Sequence, residues 1–134
     1  MAEIAKDFFV YDLDFLALAF GTTATQNVTI QADSDFVLQK MGAAADVAGA
    51  AQDDSTRVIP LATLIITDSG SGRQVMDKAI AMTTIFGDGR LPFILPQPKM
   101  FLARSNIAVT LTNYSAATTY NIRLSFIGMK IFRA

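Results

Sequence analysis

From Tyr120 to Phe126 every second side chain is apolar. Tyr120, Ile122, Leu124 and Phe126 alternate with Asn121, Arg123 and Ser125. The same rhythm runs through Ile107, Val109 and Leu111, with Thr110 and Thr112 pointing the other way. Only an extended chain, with a side-chain period of two, gathers such rows on one face; a helix with its period of 3.6 scatters them. Both segments therefore read as half-buried strands. Turn-forming residues fill the stretch between them, Asn113 to Thr119, so the natural reading is a hairpin. Beyond Phe126 the strand can continue to Phe132, with Gly128 as a bulge or bend.

Further strands are legible upstream. Residues 57–67 are β-branched and apolar, Asp68-Ser-Gly-Ser-Gly72 turns, and residues 73–76 return, which describes a second hairpin. Residues 26–32 and 36–38 make two more strands, separated by the turn residues Asp33 to Asp35. Residues 7–20 carry an odd-numbered apolar row of Phe9, Tyr11, Leu13, Phe15 and Ala17. Helical spacing also collects Phe8, Tyr11, Phe15 and Leu18, but the aromatic content favours an extended segment. The small-residue stretch from Met41 reads as a mobile loop over residues 41–56, and residues 1–7 read as an N-terminal arm. Roughly seven or eight short strands spaced by Gly, Asp, Ser and Asn turns predict an all-β, single-domain sandwich or jelly roll over residues 1–134.

One segment fits neither regular structure. Residues 91–98, Leu-Pro-Phe-Ile-Leu-Pro-Gln-Pro, hold three of the four prolines in the chain among its most apolar side chains. Proline gives no N–H to a sheet ladder, so the segment must run along a sheet edge or outside the sheet. Prolines at an edge discourage uncontrolled strand pairing. Leaving the apolar side chains wet would create a patch that monomers rarely tolerate. Pro92, Phe93, Ile94, Leu95, Pro96, Pro98, Met100 and Phe101, flanked by Arg90 and Arg104, are therefore candidates for a contact with another subunit or for cover over the core. Arg57, Arg73 and Arg123 also sit beside apolar residues, as solubilising groups or as interface anchors.

Composition narrows the chemistry. There is no His and no Cys, which removes the usual general base, the commonest transition-metal ligand, disulfides and thiolate nucleophiles together. The chain holds 11 Lys+Arg against 12 Asp+Glu, with no basic stripe for nucleic acid. The acidic start reads unlike a signal peptide, and the apolar run to Phe20 is too short to span a bilayer, so synthesis in the cytoplasm and no membrane partner are expected.

The remaining motifs read as structure. Asp68 to Arg73 resembles a phosphate-cradling loop only faintly, because it joins two strands and lacks the lysine of a P-loop. Asp33, Asp35, Asp53, Asp54 and Asp88 fall where turns and strand ends put them, without the spacing of a calcium loop. Asp12 and Asp14 share one face of a strand, as a solvated edge would place them rather than as a hydrolytic pair. Glu3 is the only glutamate. No catalytic residue, cofactor, metal or small-molecule substrate is assigned. A carbohydrate-binding sandwich remains an alternative, though the chain has no Trp and only three Tyr for an aromatic platform.

Three segments carry a family likeness: Val58 to Met76, Leu91 to Phe101 and Tyr120 to Phe132. Together they resemble the small jelly-roll cement, or decoration, proteins of tailed bacteriophages. The likeness covers the C-terminal part of the chain and rests on overall pattern rather than a catalytic signature. It implies a structural virion protein on the capsid exterior, a dimer or trimer that binds the major capsid protein and clamps neighbouring subunits. A head-completion, neck or tail component is the alternative within the same class.

Overall fold

The computed structural model describes residues 5–48, 58–87 and 91–132. Among these described residues nine strands follow in chain order: β1 (Ala5–Leu18), β2 (Thr23–Thr29), β3 (Asp35–Val47), β4 (Ala62–Asp68), β5 (Arg73–Gln74), β6 (Ile80–Ala81), β7 (Phe93–Phe101), β8 (Asn106–Asn113) and β9 (Tyr120–Phe132). A 3-10 turn, Met82–Thr84, follows β6.

The strands form two antiparallel sheets packed face to face. Sheet A has the order β1-β9-β3-β7, and sheet B the order β2-β8-β4-β5 with β6 also against β4. The pairing has a simple logic. β1 pairs with β9, β2 with β8, β3 with β7, and β4 with β5. The chain is thus a long antiparallel ribbon folded at β4–β5 and rolled up, and the lateral pairs β3–β9 and β4–β8 close each sheet. That is the strand order of a jelly roll.

Alternation decides what lies between the sheets. Sheet A sends in Tyr11, Leu13 and Phe15 from β1, Ile122, Leu124 and Phe126 from β9, and Phe36, Leu38 and Met41 from β3. Sheet B answers with Ile107, Val109 and Leu111 from β8 and with Leu64 and Ile66 from β4. Phe36, Phe101 and Phe126 are wholly buried, and side chains of that size each contribute about 2–3 kcal/mol on leaving water. Tyr11 links its neighbours, meeting Phe9 and Phe36 edge to face at 4.8 Å each while its hydroxyl accepts the Gln31 N–H.

Several expectations need correction. The alternating segments 107–112 and 120–126 do not form a hairpin, for β8 lies in sheet B and β9 in sheet A. Alternation fixes which face is buried but not which strand is the neighbour, and these two rows meet across the core instead of side by side. Residues 113–119 carry the chain from one sheet to the other, pinned by Asn113. Its wholly buried side chain donates to Leu18 O and Thr118 O, each at 2.9 Å, and accepts the Ser115 N–H.

The proposed mobile loop is also partly wrong. Residues 41–47 belong to β3, paired with β9 from Met41↔Phe126 to Val47↔Tyr120. Low β-propensity is overridden here by the neighbours. β7 stops pairing at Phe93, and Gly87 takes its place, accepting the Ala43 N–H and donating to Met41 O. The rest of that loop, residues 49–56, lies outside the described residues. Of the expected N-terminal arm, residues 5–7 belong to β1 and residues 1–4 lie outside the described residues. Within β1 the register shifts between Phe15 and Leu18, so Leu18, not Ala17, completes the inward row.

The proline-rich segment does lie at a sheet edge, for β7 ends sheet A. Ile94 is paired with Lys40 and Lys99 with Leu38, so Leu95, Pro96, Gln97 and Pro98 oppose Gln39 alone. Pro96 and Pro98 thus stand where the ladder asks for no N–H.

Candidate functional site: an apolar sheet face

Residues named as candidates from the sequence divide among three places. Phe101 is wholly buried, and Phe93 and Leu95 pack against the core, so these three hold the sandwich together. Pro92 is half-buried, while Pro96 and Pro98 are exposed on the outward bulge of β7. Arg104 is exposed in the turn after β7 with a positive φ of 70°. Arg90, like Arg57, lies outside the described residues. Ile94 and Met100 point outward from sheet A and are 66% and 44% exposed.

Those last two are one end of a larger surface. Strand register aligns outward side chains in rows across sheet A. One row is Phe8 on β1, Met129 on β9, Val37 on β3 and Met100 on β7. The next is Val10, Ile127, Lys40 and Ile94. Ile131 extends the apolar stripe along β9. Phe8 is 74% exposed and Val10 37%, and neither has a covering element in the chain's described residues. Toward the other end of the same face the character changes: Asp12 accepts a hydrogen bond from Ser125 at 2.7 Å, and Asp14 faces Arg123 at 3.9 Å. Both acids are solvated, and no cleft brings them together as a hydrolytic pair.

Sheet B shows what a water-facing sheet in this molecule looks like. Its outer face carries Thr23, Thr25 and Thr29 on β2 opposite Thr112, Thr110 and Asn106 on β8, each pair joined by a side-chain hydrogen bond of 2.7–2.9 Å. Hydroxyl and amide groups satisfied across strands suit an antiparallel face in contact with solvent. Phe, Val, Ile and Met in the equivalent rows of sheet A do not. A contiguous exposed apolar patch rimmed by charge marks a contact surface.

Sequence reasoning missed Phe8, Val10, Val37, Ile127, Met129 and Ile131. A signal was present: alternation fails in Phe8-Phe-Val-Tyr11 and in Phe126-Ile-Gly-Met129, where both faces of the strand are apolar.

The other candidate chemistries, where their residues are described, are occupied by structural work; Asp53, Asp54 and Asp88 lie outside the described residues. In the loop after β4, the Asp68 carboxylate accepts the Gly70 N–H at 2.9 Å and the Ser71 hydroxyl at 3.2 Å, filling the cradle that an anion would need. Lys99 from β7 reaches across the sandwich to Asp68 at 3.4 Å, an ion pair between the sheets. Replacing Asp68 by alanine is expected to cost about 2 kcal/mol, since Lys99 keeps partial access to water while the loop loses two hydrogen bonds. Urea unfolding of the variant measures it. Asp33 and Asp35 are likewise engaged, Asp33 with Lys130 at 3.6 Å and Asp35 with the Ala103 N–H at 2.9 Å. Lys130, buried, lies 4.0 Å from the Phe9 ring centroid and donates to Gln31 Oε1. Among the described residues no group of three or more acids forms a metal cluster.

An open groove of about 640 Å³ lies at the far end of β3, lined by Ala43, Ala44, Ala45, Val58, Ile59, Pro60, Met82, Thr83, Phe86, Gly87 and Leu91. None of these described side chains is ionisable. Compared with known proteins, the chain matches no family model, no curated protein and no solved structure.

Proposed function

We propose that this chain is a structural virion protein that binds the outside of a capsid shell and braces contacts between major capsid protein subunits. The observation that carries the reading is the apolar outer face of sheet A on a rigid jelly roll. A face of that kind is suited to burial against protein. The sequence likeness to phage cement proteins points the same way. The mechanism would be multivalent. Individually weak contacts, repeated over neighbouring capsomers and linked within an oligomer, become avid without any one of them being strong.

The test uses shells assembled from the major capsid protein of the phage that encodes this chain, prepared without it. Added protein is expected to saturate at a stoichiometry set by the capsomers of the whole shell and to raise the temperature at which shells release their DNA. No binding, or binding to a single vertex alone, contradicts the reading; the second result would favour a neck or head-completion part.

A further inference from the structure

We infer that the outer face of sheet A is where two copies of this chain meet, about a two-fold axis lying in that face between the levels of Phe8 and Val10. The inference rests on reading this face as a protein-contact surface, and it names the partner as a second copy.

The evidence is a symmetry in the side chains themselves. Outward along β1 run Lys6, Phe8, Val10 and Asp12: a cation, two apolar groups and an anion. A two-fold axis in the plane of the face, perpendicular to the strands at the level of Phe9, places Lys6 of one copy over Asp12 of the other, twice. The same rotation sets Phe8 over Val10. On β9 it sets Met129 over Ile127, and on β7 it sets Met100 over Ile94, by the register already described. Apolar thus meets apolar on β1, β9 and β7, while on β3 Val37 meets Lys40, and the Lys6 and Asp12 charges at the rim are complementary. Sheets stacked in this way keep their strands within about 30° and their faces about 10 Å apart, the spacing of a sandwich core.

Four strands about 4.8 Å apart and three row spacings of about 6.8 Å, from Lys6 to Asp12, give a footprint of roughly 400 Å² in projection, charged rim included. Side-chain relief raises the accessible area above that figure, which places the contact at the small end of specific interfaces, below the roughly 800 Å² per partner of a standard one. Pairing through the edge of β1 would also bring Lys6 beside Asp12, but it would leave Ile94 and Met100 in water at the opposite edge of the sheet. Face-to-face contact covers them.

Light scattering on the purified chain, without any shell, tests this. The wild type is expected at twice the 14.5 kDa chain mass. Lys6→Asp and Asp12→Lys should each weaken dimerisation about tenfold or more by setting like charges opposite each other. The double variant K6D/D12K should restore it, and Met100→Asp should abolish it. Should Asp12→Lys fail to fold for want of its Ser125 bond, Lys6→Asp and Met100→Asp carry the test alone. A monomeric wild type, a trimer, indifference to Lys6→Asp, or a dimer that survives Met100→Asp overturns the inference. Shell binding by a monomeric wild type would leave the capsid reading standing while removing this one.

Discussion

Replacing Gly128 by alanine is expected to cost about 4 kcal/mol or more, close to unfolding a domain of this size. Gly128 sits in β9 at the centre of sheet A, opposite Leu38, where the register of β3 slips by one residue at Gln39. The slip drives the backbone of β3 against β9. A Cβ at position 128 would lie 1.9 Å from Val37 O and 2.9 Å from Val37 C, with the Phe36 ring at 3.1 Å. The atoms in the way are backbone, so no rotamer change relieves the clash. The ladder must part or the buried Phe36 must move. Single substitutions reach this range only through such mechanisms, and native domains hold only about 5–15 kcal/mol in total. Gly21→Ala is the control. Gly21, unlike Gly128, has a positive φ, 72°, and nothing lies within 4 Å of the added carbon, so about 1 kcal/mol is expected. Urea unfolding of both variants separates a steric from a conformational requirement for glycine; equal losses would contradict the close approach of β3.

Asn113→Ala is expected to cost about 3–4 kcal/mol, and to do so cooperatively. The side chain is wholly buried and makes three hydrogen bonds, to Leu18 O, Thr118 O and the Ser115 N–H. Its backbone adds two more, donating to Thr22 O and accepting the Gly21 N–H. One residue thereby ties the exit of β1, the entry to β2 and the crossover from sheet B to sheet A. Alanine leaves the three side-chain partners without their bond in a buried setting, and each unsatisfied group costs about 1–3 kcal/mol before relaxation and water entry recover part of it. Asn113→Asp should be nearly as damaging, because a carboxylate keeps the acceptor for Ser115 but presents oxygen to two carbonyls. Thermal unfolding by circular dichroism measures both. An aspartate variant as stable as wild type would show that the two donated bonds do not carry the crossover.

The all-β class was legible because alternation is a property of single strands. Tyr120 to Phe126 and Ile107 to Leu111 announce their buried faces without reference to any partner, and the turn from Asp68 to Gly72 announces itself by residue type. What alternation leaves open is pairing. The crossover at Asn113 looks, in sequence, like the loop of a hairpin, since a chain changing sheets needs the same turn-formers as one doubling back. The strand over residues 41–47 was hidden for a different reason. Gly42 and the alanines after it have poor intrinsic preference for a strand, and only β9 on one side and Gly87 on the other hold them there. The apolar face of sheet A was half visible. The prolines at 92, 96 and 98 rightly indicated an edge, and Ile94 and Met100 do face outward. The larger part of the surface comes from β1 and β9, where apolar residues on both faces of a strand look like ordinary core until register shows that one of those faces has no cover among the described residues.

Where this chain sits in a particle, and in how many copies, tests the central claim most directly. On the proposed reading, imaging of purified virions that carry this chain, with copy number from quantitative mass spectrometry, should find the jelly roll on the outer surface of the shell. Its copies should scale with the number of capsomers, and the outer face of sheet A should be covered by protein in every copy. Density confined to a neck or tail, absence from the particle, or a sheet A face open to solvent would contradict the account.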